Sequence, residues 1–178
     1  MADKKAQVWV ETVIYTLIGL SVIAVILTVV TPQIEKIKDR GVIQQTEAAM
    51  TNLDQAISSV GEYAAGSIKY VNLKISKGSL QIDGQNDVIR YVLDNTVLEL
   101  SQNGTDIKDG DITIRTDQRG SKFRITLTLN YSSKMNLTYQ NKEDLKTLSP
   151  SSVEYKISLE NVGDNAVSEN PHINFGVG

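Results

Sequence analysis

The chain contains no cysteine and a single histidine, His172, near its C-terminus. Disulfides, thiol nucleophiles, thiol redox chemistry and Cys/His zinc sites are excluded, and a Ser-His-Asp triad has no histidine within a packed core to draw on. Charge of one sign is also lacking. The net charge is −3, with acids and bases mixed along the chain, so there is no basic footprint for nucleic acid. A glycine-rich phosphate loop is missing too: Gly-x-Gly occurs only at Gly176 and Gly178, where no helix follows to hold a phosphate. His172, beside Pro171 in a polar tail, is expected to be solvated. No catalytic residue and no cofactor is assigned, and an enzyme is not expected.

Asp83, Asp87, Asp106, Asp109 and Asp111 fall in or beside turns, and carboxylates of this kind can build a calcium site. Their spacing does not match the EF-hand pattern, and Asp-Gly forms turns without any ion, so no metal is assigned.

What the chain does have is one long apolar run. Residues 12–30 are all apolar, small or weakly polar, enough for a helix to cross a hydrocarbon core of about 30 Å. A cleaved secretory signal would have a shorter apolar region and a small-x-small site, whereas Pro32 and a charged stretch follow here. The run therefore reads as a membrane-spanning helix that stays with the chain. Trp9 and Tyr15 at its start suit the membrane interface.

At Pro32 the helix is expected either to kink, or to stop and restart with Thr31 as N-cap. Beyond it Ile34, Ile37, Met50, Leu53, Ile57, Val60 and Ala64 recur at helical spacings among polar residues, which predicts one long helix over residues 8–63 with an amphipathic second half. Gly41 weakens it by about 1 kcal/mol relative to alanine.

After Gly66 the period becomes two. Phe123, Ile125, Leu127, Leu129 and Tyr131 alternate with polar residues, and Val153, Tyr155, Ile157 and Leu159 do the same. Further strands are predicted over 68–76, 79–83, 88–93, 96–100 and 111–116, separated by glycine-bearing turns, with one helical turn at 142–148. The fold class is α+β: a long N-terminal helix followed by an antiparallel β-rich head, either a sheet or a small sandwich, covered by the amphipathic half of the helix.

Lys4 and Lys5 precede the span while Lys36, Lys38 and Arg40 follow it, so charge does not orient it. Asn103, Asn130 and Asn136 each open an Asn-x-Ser/Thr triplet, a candidate N-glycosylation site, and all lie in the C-terminal part; on that ground the head is placed outside the cell. Glu11 stands at the front of the apolar run and admits two readings. Its carboxylate can snorkel to headgroup water, or it can require a charged partner.

The stretch KKAQVWVETVIYTLIGL, from Lys4 to Leu20, resembles the class III signal of archaeal type IV pilin-like proteins: a short basic leader, a small residue, Gln, then Glu four positions later. Gln7 and Glu11 carry the match; Trp9 stands where serine is common, and Ala6 where bacterial pilins have glycine. The resemblance implies cleavage between Ala6 and Gln7 by a membrane-embedded prepilin peptidase. It divides the chain into a leader (1–6), a transmembrane and filament-core helix (7–31), an amphipathic helix (32–65) and a β-rich extracellular head (66–178). It further implies that the new amino group at Gln7 pairs with Glu11 of a neighbouring subunit as helices leave the lipid for a filament. Its partners would be copies of itself, other pilins, the peptidase and, before assembly, membrane lipid, but no nucleic acid. The alternative is a single-span protein whose extracellular β-domain binds a surface ligand or envelope partner without forming filaments.

Overall fold

A computed structural model describes the backbone of residues 3–165 and 168–178, and side chains over 8–163 and 170–178. The chain divides into two compact units, Met1–Lys38 and Asp39–Gly178. Helix α1 (Asp3–Glu62) contributes residues to both, and ten strands follow it. These are β1 (Ile68–Leu73), β2 (Ser79–Asp83), β3 (Val88–Thr96), β4 (Asp106–Asp109), β5 (Ile112–Arg119), β6 (Lys122–Asn130), β7 (Asn136–Tyr139), β8 (Leu145–Leu148), β9 (Tyr155–Asn165) and β10 (Ser168–Val177). The expected α+β class is the one observed.

Two sheets form, one in the order β1-β9-β10-β7 and the other in the order β4-β5-β6-β3-β2-β8. Every strand pair is antiparallel except β7 with β10. Alternation does what the pleat requires: Ile125, Leu127 and Leu129 of β6 are buried while Thr126 and Thr128 are only half-buried. Ile43, Met50, Leu53, Ile57 and Val60 make one buried stripe along α1, and they join Ile157, Leu159, Ile173 and Phe175 of one sheet and Leu80, Ile89 and Ile125 of the other in a single core. A fully buried side chain of this size contributes about 1.5–3 kcal/mol, which is why the second unit needs this part of the helix.

Of the two expectations at Pro32, a kink or a stop and restart, the restart does not occur, and the one long helix expected over residues 8–63 is observed. α1 runs through Pro32, and Thr31, far from capping a new helix, donates its hydroxyl to the Leu27 carbonyl at 2.7 Å. Ile34 and Ile37 are exposed and Ala64 lies beyond the helix, so the buried stripe begins later than the spacing implied. The expected helical turn at 142–148 does not form: residues 145–148 are instead β8, paired with β2, and the ladder between Leu80 and Leu148 captures residues whose local propensity is helical. Residues 97–100 are not strand: a register shift between Leu93 and Thr96 ends β3, and the Thr96 hydroxyl accepts the Leu98 amide at 3.0 Å.

His172 is not in a free tail. It lies half-buried in β10, opposite Asn136 of β7, with its Nε2 2.8 Å from the Thr138 hydroxyl. The same hydroxyl lies 3.2 Å from Asn174 Oδ1, so Thr138 links His172 to Asn174.

Candidate functional site

In the first unit, residues 8–30 of α1 are exposed along their whole length, on every face of the helix. At 1.5 Å per residue the segment is about 34 Å long, close to the thickness of a hydrocarbon core. Among the described residues α1 is the one helix long and apolar enough to cross a membrane. In water this surface would forfeit burial of side chain after side chain, from Val8 to Val30.

The polar groups within the segment are nearly all satisfied by the helix itself. Thr12, Thr16, Ser21 and Thr28 donate their hydroxyls to the carbonyls four residues back, at 2.8–2.9 Å. Such back-bonding lets a hydroxyl enter an apolar medium without an unmade hydrogen bond. A carboxylate cannot do this, because it is acceptor-only and every nearby amide is already used by the helix. Glu11 is exposed and has neither an ion pair nor a hydrogen bond among the described residues. Trp9 and Tyr15 are each 72% exposed. The backbone of Ala6 and Gln7 is helical, but their side chains lie outside the described residues, as does the N-terminal part of the leader expected over 1–6.

The five turn aspartates do not converge in the second unit. Asp83 accepts from Arg90 and Asn86, each at 2.8 Å; burial raises its pKa, but these hydrogen bonds outweigh that and hold it below the ordinary value. Asp87 accepts the Leu137 amide at 2.7 Å, and burial, aided by Glu143, leaves its pKa raised. Asp106 meets Arg115, and Asp111 meets Lys134. Asp109 and Asp111 instead share with Glu47 and Asp54 a cleft of about 370 Å³ between α1 and the β4–β5 turn. Burial, then Asp109, raises the Glu47 pKa, and at the cleft's edge the buried Tyr131 phenol donates to Asp54 at 2.6 Å. No three acidic or histidine side chains among the described residues are placed to hold a metal ion.

Of the three sequons, Asn103 is exposed in a turn and Asn130 is exposed at the end of β6. Asn103 accepts the Gln118 amide, and Asn130 accepts both the amide and the hydroxyl of Ser132. Asn136 differs: it opens β7, and the hydroxyl of its sequon belongs to the buried Thr138.

Sequence reasoning passed over Asp39. Its carboxylate is buried on the same stripe of α1 as Ile43, accepting Lys77 Nζ at 2.5 Å and the Thr96 hydroxyl at 2.5 Å. The available signal was its spacing, four residues before Ile43, which puts a charge where the helical period demands an apolar residue.

No protein-family model, no curated protein and no solved structure matches this chain.

Proposed function

We propose that the chain is a structural, non-enzymatic subunit of an archaeal type IV pilus-like surface filament, a pilin or minor pilin-like protein that assembles through its N-terminal helix. The observation that carries this reading is Glu11, an exposed carboxylate with no described partner in a membrane-length apolar helix whose hydroxyls are satisfied internally. An unpaired carboxylate at the centre of an apolar medium costs on the order of 2.5–3.5 kcal/mol. The amino group freed by a prepilin peptidase between Ala6 and Gln7 supplies the partner when it comes from a neighbouring copy, and the pairing selects one register among helices that otherwise slide freely. The subunit waits in the membrane as a single-pass protein with its β-rich domain outside, and in the filament apolar helices replace lipid around one another. Sugar, where attached, goes to the exposed Asn103 and Asn130 before Asn136, whose strand must open to release Thr138.

The test is intact-mass analysis of the protein from membranes, joined to electron microscopy of the cell surface. Loss of residues 1–6 and filaments containing the chain are expected, and Glu11→Gln should leave the subunit in the membrane but stop or impair assembly. A chain that keeps Lys4 and Lys5 beside a working peptidase, with no change on Glu11→Gln, defeats the filament reading. It favours the single-span alternative, in which Glu11 snorkels and the β-domain binds an envelope partner.

A further inference from the structure

Two sheets in one body leave four edge strands: β1 and β7 in one, β4 and β8 in the other. Edge strands carry unpaired backbone groups and are natural templates for another strand. They are not equivalent here. The outer edge of β7 is already used, since its Leu137 amide donates to Asp87, and a Cβ on Gly84 would stand 2.8 Å from the Leu137 carbonyl. β8 and its approach carry Lys142 and Lys146 against Glu143 and Asp144, with no excess of either sign.

β1 and β4 remain, and their charges are opposite. From Tyr63 to Gly78 there are three lysines and no acid, with Lys69 on β1 and Lys74 just beyond it. Lys77 is engaged by Asp39, whereas Lys69 and Lys74 are exposed and have no anionic partner among the described residues. From Thr105 to Asp111 there are three aspartates against one lysine; Asp106 meets Arg115 and Asp111 meets Lys134 in exposed ion pairs, and Asp109, which has no cationic partner among the described residues, lines the acidic cleft with Asp111. Each edge carries exposed apolar side chains as well: Ile68 and Tyr70 on β1, 54% and 59% exposed, and Ile107 on β4, 40% exposed. All four residues of β4 are exposed, as are Ile68, Lys69, Tyr70 and Asn72 of β1.

The geometry points to a head-to-tail contact in which edge strand β1 of one copy pairs with edge strand β4 of the next, Lys69 and Lys74 facing Asp106 and Asp109. The lysines bar indiscriminate pairing of β1 with itself, and among the described edge strands the acidic β4 edge is the one that turns them from repulsive to attractive. Different surfaces meet, so the contact is heterologous, and it propagates along an assembly instead of closing a dimer. Only about four residues per strand are engaged, a weak contact between free molecules. Copies confined through their apolar helices meet at high effective concentration, where a weak contact suffices. The inference deepens the filament reading and rests on it for that confinement.

The absence of native cysteine gives the test a clean background. Full-length copies carrying Tyr70→Cys and copies carrying Ile107→Cys are made in one membrane and treated with a mild thiol oxidant, with a Leu145→Cys copy on β8 as control. Tyr70→Cys should join Ile107→Cys, and neither should join Leu145→Cys. Lys69→Glu with Lys74→Glu should cut the yield by roughly tenfold or more, as like charges replace opposite ones. Asp106→Lys with Asp109→Lys on the partner should restore it, which a misfolded variant could not do. Equal yields with the β8 control, or loss without restoration, overturn the contact. Cleavage and filaments scored on the same cells separate the two claims: filaments without the cross-link sink the contact alone, and a cross-link without filaments sinks the filament reading alone.

Discussion

Residues 8–30 and 39–62 belong to one α-helix and obey opposite rules. The first stretch is apolar on nearly every face and exposed on every face; the second buries a single stripe from Ile43 to Val60 and leaves Gln44, Gln45, Asn52 and Gln55 in water. Identical backbone geometry thus serves two solvents. In the second stretch the β-sheets supply the apolar medium, and in the first no described residue supplies one. Each stretch also carries one carboxylate in an unfavourable place. Asp39 is answered within the chain, by Lys77 and Thr96, whereas Glu11 has no answer among the described residues.

The contrast can be broken at several points, with thermal or denaturant melts of the full chain in detergent micelles as the measurement. Leu53→Ala should cost the β-rich unit about 2–5 kcal/mol, because it opens a cavity at a fully buried position of the core. The matched Leu20→Ala should leave that melt unchanged; equal losses would mean the two stretches are not distinct. Asp39→Asn should cost about 1–3 kcal/mol, since a neutral amide no longer holds the lysine charge, although half-exposed Lys77 can turn to water and limit the loss. Gly41→Ala should gain about 0.5–1 kcal/mol: the position is helical, and an added Cβ meets nothing within 4 Å.

The smallest expected effect is the most specific. The Glu47 pKa is raised in the folded state, so the native protein holds that proton more tightly than the unfolded chain. Stability from this group is then greatest at low pH and declines as pH rises from its ordinary value of 4.5 through the raised one. Glu47→Gln should remove that decline and leave the protein slightly more stable at neutral pH. Asp83 works in the other direction, with stability present above its ordinary value of 3.8 and lost as pH falls below it.

Much of the fold was legible where period and burial coincide. β6 could be read from Phe123 to Tyr131, and the helix from the spacing of Met50, Leu53, Ile57 and Val60. β4, β7 and β10 were not, for physical reasons. β7 and β4 have four residues each, too few to show a period. β10 carries Pro171, His172, Asn174 and Gly176, residues poor in strand propensity, and is held by backbone pairing to β9 and β7 and by hydrogen bonds through Thr138 and Asn174. In the candidate site, Glu11 was visible because a charge in an apolar run contrasts with its neighbours in sequence; Asp39 sits among charged neighbours, which mask the one signal its spacing from Ile43 offers, and the fold shows it buried.

Sequence alone determined the apolar helix and its lone carboxylate, the class of the fold and the absence of thiol chemistry, since each follows from composition or from contacts a few residues apart. Tertiary structure alone decided that β7 lies parallel to β10, that residues 145–148 are strand, that Asp39 is a buried partner of Lys77, and that β1 and β4 remain as open edges of opposite charge. Those features depend on which distant segments share hydrogen bonds. A strand's edge has no sign in its own residues until the rest of the sheet has chosen its neighbours.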